Sequence, residues 1–254
     1  MTTAEATLTV HLRRPHERQE AFIRSPAKRK VVRAGRRGGK TVGVAILAVE
    51  RFLAGVRVLY AAPTVEQIDT FWREVRLALA EPLRAGVFRK NETEHYIERA
   101  GTENRLKAKT AYNADTMRGD YADLLILDEW QLCNEDAWEV VGAPMLLDND
   151  GDAVFIYTPP SLRASGISRA HDPLHAAKLY RHATQDTTGR WATFHFTSHD
   201  NPHISQDALA ELIRDMSRAS YRQEIEAEDE ERSPNQLIYS AFNEATCKIP
   251  PIPL

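Results

Sequence analysis

Three glycines, a lysine and a threonine fall together in Gly35-Arg36-Arg37-Gly38-Gly39-Lys40-Thr41, and that combination can hold phosphate. Small residues let successive backbone N–H groups turn toward phosphate oxygens, and a helix that follows adds the positive end of its dipole. Lys40 would reach the outer phosphates, and the Thr41 hydroxyl would ligate Mg2+. Ala34 stands where the usual pattern places its first glycine, so the match to a phosphate loop is imperfect. A second cluster lies downstream, where Leu124-Leu125-Ile126-Leu127 runs into Asp128-Glu129. Ionised carboxylates at the tip of an apolar run are costly unless that tip opens onto a polar site. The two acids would divide the labour: Asp128 holds the Mg2+ shell with Thr41, and Glu129 polarises an attacking water.

The elements that must position these residues follow from periodicity. A strand over Lys30–Arg33 leads into the loop, and TVGVAILAVERFL reads as a helix to about Phe52. A second strand covers Val56–Ala61, and a helix follows with Val65, Ile68, Trp72, Val75 and Leu79 on one face. Residues 86–110 alternate polar and apolar positions, which predicts a rim hairpin. The unbroken aliphatic run before Asp128 predicts a strand buried on both faces, as in a parallel sheet. Val154–Tyr157 is a further strand, closed by Thr158-Pro159-Pro160, and Trp191–Thr197 alternates as a fifth. Residues 206–230 read as a helix with Leu209, Leu212, Ile213 and Met216 on one face. A loosely structured lead-in, 1–29, carries a short helix near His16–Phe22 that brings Gln19 toward the base of a nucleotide. The stretch 233–254 contains prolines and no periodicity, and reads as a linker. The fold class is therefore α/β, and ligands in such sheets bind at the C-terminal strand tips.

With 254 residues, the chain has room for one large α/β domain, and its charged and apolar fractions are those of a globular protein. No apolar stretch reaches membrane-spanning length, and the first residues lack the apolar core of a signal peptide. Cys133 and Cys247 have no partners at metal-ligand spacing, which argues against a disulfide framework and fits a reducing compartment. Net charge is −3 but uneven, with a basic stretch from Arg24 to Lys40 and an acidic one from Glu224 to Glu231. His195, His199 and His203 recur every four residues, yet Asp200-Asn201-Pro202 interrupts any helix that would align them for zinc.

With the basic phosphate loop, LLILDE and Tyr157-Thr158-Pro159-Pro160 in this order, the chain resembles the ATPase domain of tailed-phage large terminase subunits. Those are the motors that drive DNA into empty capsids. The resemblance runs from about His16 to Ile238 and implies a P-loop NTPase fold of the ASCE, RecA-like kind, a three-layer sandwich around a mainly parallel sheet. It matches Gln19 to an adenine-reading glutamine, and Arg33–Thr41 to an arginine-rich phosphate loop. Within that loop Ala34, Gly35, Arg37, Gly38, Gly39 and Lys40 would bind ATP, with Mg2+ on Thr41 and Asp128. Ala61-Ala62-Pro63-Thr64, Met117-Arg118-Gly119, Asp200-Asn201-Pro202-His203 and Tyr221-Arg222-Gln223-Glu224 resemble further landmarks of the family.

By this resemblance Glu129 is the catalytic carboxylate, and Thr158 belongs to the motif that couples hydrolysis to movement. Arg118 is the finger given to a neighbouring subunit, with Arg36 or Arg37 acting within its own. The implied partners are double-stranded DNA, a homo-oligomeric ring (a pentamer) on the portal, and the small terminase subunit, in the host cytoplasm and transiently on a procapsid. DNA would be tracked by Arg84, Arg89, Lys90, Arg105, Lys107 and Lys109 around the hairpin. The implied domain layout is an ATPase domain over 1–232, then the linker at 233–254 toward an absent RNase H-like nuclease, so nuclease activity is not expected. Asp229–Glu231 departs from the family, which has an aromatic residue near that point. The rival readings are a helicase-like ATPase, which needs a second RecA-like domain, a small-molecule P-loop kinase, and a non-hydrolysing assembly scaffold.

Overall fold

Alternation along buried strands decides the architecture. In β1 (Arg29–Ala34), Val31 and Val32 are both fully buried but belong to opposite apolar clusters. The same split recurs in β2 (Val58–Ala62) between Leu59 and Tyr60, and in β6 (Leu124–Leu127) between Leu125 and Ile126. It recurs again in β7 (Asp152–Tyr157) between Phe155 and Ile156. A sheet apolar on both faces must be covered on both. One cover is α1 (Glu17–Arg24), α2 (Lys40–Leu53) and α3 (Val65–Ala78), followed by the short α4 (Ala80–Arg84). The other is built from Trp130, a π-helical stretch Ala137–Gly142 continuing into α5 (Ala143–Met145), and α6 (His175–Thr184). The result is a three-layer α/β sandwich. The computed structural model describes residues 9–111, 114–160 and 168–229, so the expected linker at 233–254, with Cys247, lies outside the described residues.

The eight strands run in the order β3-β4-β5-β2-β6-β7-β1-β8, with β3 (Phe88–Asn91), β4 (Tyr96–Arg99), β5 (Arg105–Thr110) and β8 (Trp191–Phe196). From β5 to β8 every neighbouring pair is parallel, and the pairs β3–β4 and β4–β5 are antiparallel. The alternating stretch 86–110 thus forms a hairpin, β3–β4, whose next strand β5 joins the main sheet in parallel with β2. Glu92 ties that hairpin to α3, accepting from Trp72 Nε1 at 2.7 Å, Arg76 Nη1 at 3.0 Å and Lys90 Nζ at 2.5 Å. For the site, the decisive feature is β7, inserted between β1 and β6. The tips of these three strands stand side by side at one sheet edge.

Two expectations need correction. The helix expected over 206–230 is broken: α7 (Gln206–Arg214) stops, and Ser217 caps a new start by accepting from Ser220 N. That start runs through α8 (Arg218–Ser220) into a π-helical turn, Tyr221–Ile225. Of the expected apolar face only Leu209 is buried, while Leu212 is 51% exposed, because no layer of the sandwich lies under the rest. The lead-in is not loose where it is described. Val10 and Leu12 pack on the core, His11 N donates to Ala78 O at 3.2 Å, and Arg13 pairs with Glu74 at 2.9 Å.

Candidate active site

The phosphate loop begins where β1 runs out of partners. Ala34 is the last strand residue, fully buried and in register with Phe196, in ordinary extended structure. No glycine is needed there, and the demand passes to the next residue. A Cβ on Gly35 would lie 2.4 Å from Ile225 O and 2.7 Å from Ser198 N, closer than any side chain tolerates. Gly35 N donates to Phe196 O at 3.0 Å, and Arg36 N to Glu224 O at 2.6 Å. Arg37, at φ 61°, and Gly39, at φ 91°, then turn the chain into α2 in the left-handed region. Among the described residues, the backbone N–H groups of Arg37, Gly39, Lys40 and Thr41 have no acceptor. That leaves them for an anion at the helix start.

Side chains from distant segments hold the loop's carbonyls from behind. His16 Nε2 donates to Gly38 O at 3.0 Å and Gln19 Nε2 to Gly39 O at 2.7 Å. Ser198 Oγ donates to Arg36 O at 2.6 Å and Asn201 Nδ2 to Arg37 O at 2.7 Å. Gln19 thus serves as a strut, its Oε1 also accepting from His16 N at 3.0 Å. The sequence landmarks at 200–203 and 221–224 acquire concrete work here. Asn201 and Glu224 brace the loop, and Gln223 Nε2 reaches Pro160 O at 3.2 Å beyond the β7 tip.

Lys40 is 8% exposed, and its ammonium donates to Thr158 Oγ1, the residue just past β7. Thr158 Oγ1 in turn donates to Ala34 O at 3.0 Å. No carboxylate among the described residues pairs with Lys40, so its charge is held in reserve. Across β7's far side, Asp128 ends β6 at 2% exposure, accepting from Tyr60 OH at 2.8 Å and Glu129 N at 2.9 Å. Burial, and then the adjacent Glu129 charge, push the Asp128 carboxyl above the usual carboxylate range, against the opposing pull of Tyr60 and Lys40. Glu129 sits at φ 49°, ψ 45°, a left-handed turn rare for such a side chain, and its Oε2 accepts from Gln131 Nε2 at 2.6 Å. Burial beside both acids also raises the Cys133 thiol, whose Sγ contacts Asp128 O.

The structure brings together Ala34, Gly35, Gly38, Gly39, Lys40, Thr41, Asp128, Glu129 and Thr158 at one sheet edge. Arg36 and Arg37 are exposed on the loop, Arg36 only 3.7 Å from Glu224. Arg118 is set apart: 62% exposed, ion-paired with Asp115 at 2.6 Å, in the turn after a 3-10 helix at Ala114–Met117. Of the hairpin cations, Lys107 and Lys109 are spent on Asp120, Arg105 on Glu98 and Lys90 on Glu92, whereas Arg84 and Arg89 are exposed. His16, Tyr60, Ser198 and Gln131 escaped the sequence reading. Tyr60 alone carried a signal, as the one hydroxyl within VLYAA, an otherwise aliphatic strand.

A phosphate loop after β1, an acid pair after β6 and the intervening β7 define the P-loop NTPase fold of the ASCE type. No family model matches the chain. Among curated relatives, the terminase large subunit of Escherichia phage T5 is 29% identical over 196 residues, 76% of this chain and 42% of that protein. The terminase large subunit of Thermus virus P23-45 is 30% identical over 168 residues, 59% of this chain and 34% of that protein. The chain thus spans less than half the length of the curated relatives it matches. The solved large terminase ATPase domain of Thermus phage P74-26 has a TM-score of 0.64 at 23% identity, covering 85% of this chain and 94% of that one. The resemblance to large terminase subunits read from the sequence is borne out by these relatives, and the structural likeness shows the fold.

Proposed function

We propose that this chain is an ATP-hydrolysing motor domain that moves double-stranded DNA in a phage packaging machine. The observation that carries the reading is the buried Lys40 ammonium, which makes no ion pair with a carboxylate among the described residues and is bonded to Thr158 near the phosphate loop and the Asp128–Glu129 pair. Phosphoryl transfer to water needs positioning and charge neutralisation more than covalent chemistry. The unspent N–H groups of the loop bind the phosphates, and Lys40 exchanges the Thr158 hydroxyl for a phosphate oxygen. Thr158 then keeps its bond to Ala34 O and carries the change to the β7 tip. Glu129 polarises the attacking water.

Mg2+ fits the donor set. Asp128 is a buried carboxylate that, among the described residues, accepts hydrogen bonds from two neutral donors and makes no ion pair, which suits a bound cation. Asp128 and the Thr41 hydroxyl would hold the ion, which when bound neutralises phosphate charge. Arg36 would act within its own subunit, and Arg118, exposed beside Asp115, would reach a neighbour's site in a ring. Arg118→Ala is expected to bind ATP yet release phosphate about 10³–10⁵-fold more slowly, with partial recovery when mixed with Glu129→Ala subunits. Wild-type phosphate release should rise with added duplex DNA and, per molecule, with protein concentration. Release independent of both, with no rescue on mixing, would overturn the motor reading.

A further inference from the structure

Gln131 has a buried amide whose two ends are treated differently. It lies on the short 3-10 helix Trp130–Leu132 directly after the acid pair and is 6% exposed. Its Nε2 donates to Glu129 Oε2 at 2.6 Å, and its Oε1, fully enclosed, has no partner among the described residues. A buried acceptor without a donor is destabilising, so an apolar side chain of the same shape would serve the core better. The turn that holds it is fixed from outside, because His175 Nε2 donates to Trp130 O at 2.8 Å and Cys133 Sγ contacts the backbone of Asp128 and Glu129. The backbone of Glu129 is also in the left-handed region, which aims its side chain away from the path of β6. A strained residue, a rigid turn and an amide donor thus converge on one carboxylate oxygen.

We infer that Gln131 is a positioning residue, whose amide N–H fixes the Glu129 carboxylate in one orientation for polarising water. The inference rests on the reading of Glu129 as the water-polarising base. It assigns the stability cost of the unpartnered oxygen to catalysis. Gln131→Met keeps the volume and removes the donor. It is expected to lower kcat about 10–100-fold with KM for ATP within twofold, at an unchanged or raised melting temperature. Gln131→Glu, a second variant of the same shape, sets a carboxylate against Glu129 and is expected to lose at least as much. In a Glu129→Gln background, Gln131→Met should cost less than a further twofold, because it acts only through the Glu129 carboxylate.

Wild-type kcat in both Gln131 variants, or fully additive losses in the double variant, would overturn this inference while leaving the ATPase reading intact. A wild-type chain that releases no phosphate would overturn both.

Discussion

Lys40 and Gly35 show how single residues set the site. Lys40 holds a buried ammonium against a neutral hydroxyl, a costly arrangement that makes sense for a group that awaits phosphate. Gly35 is fixed by contact, since backbone atoms of Ile225 and Ser198 occupy the space its Cβ would need. Gly35→Ala is therefore expected to cost about 1–3 kcal/mol, lowering the melting temperature and weakening binding of a fluorescent ATP analogue. An alanine variant that melts and binds as wild type would contradict the packing described. These chemical types were legible in the sequence because Gly35–Thr41 and Asp128-Glu129 are each contiguous, and Thr158 directly follows a strand. The struts were not. His16 and Ser198 meet the loop across 22 and 162 positions with nothing local to mark them, and Asn201, 164 positions away, stood in a family landmark without a role. Gln19, expected to read a base, lies against the loop with its amide bonded to Gly39 O and His16 N.

Elements were legible where burial is two-sided. Four aliphatic residues before Asp128 can only be an inner strand, and so they are. Helical periodicity over 206–230 misled because it records an apolar stripe without saying whether a layer covers it. The segment after the break, 218–229, closes the floor of the phosphate loop through Glu224, Ile225 and Asp229. Asp229 accepts from Arg33 Nη1 at 2.7 Å and Tyr157 OH at 2.8 Å, which joins β1 and β7 just before their tips. Asp229→Ala is expected to destabilise by about 1.5–3 kcal/mol and to speed hydrogen exchange at Arg36 N, whose acceptor is Glu224 O. Unchanged exchange there would show that the segment is not held this way. The rim hairpin makes a pH prediction. Hydrogen bonds from Lys90 and then Trp72 lower the Glu92 carboxyl to about 2. A depressed carboxylate stabilises the fold above its unfolded value, about 4.3, and that contribution is lost as pH falls toward 2. Melting temperature should therefore drop over that window in the wild type and less steeply in Glu92→Gln. Parallel curves for the two proteins would contradict the anchor.

At the scale of the whole molecule, strand order does what no local pattern could reveal. The sequence presents the phosphate loop, the acid pair and Thr158 in chain order, but β7, the last of the three strands, is inserted between the other two. Thr158 thereby lies beside Lys40 and Ala34 O, bonded to both, where the proposed hydrolysis at one tip would be felt at the next. The same arrangement leaves Arg118 on the surface, paired with Asp115 and available to a neighbouring copy. Motion and assembly would both depend on hydrolysis of ATP at the edge formed by these three tips. Steady-state phosphate release with ATP and Mg2+, measured side by side for the wild type and Glu129→Ala at matched ATP occupancy, tests it most directly. Turnover is expected in the wild type, with a loss of at least about 100-fold in the variant, which should bind ATP as tightly. Equal turnover in the two proteins, or none in either with duplex DNA at high protein concentration, would contradict it.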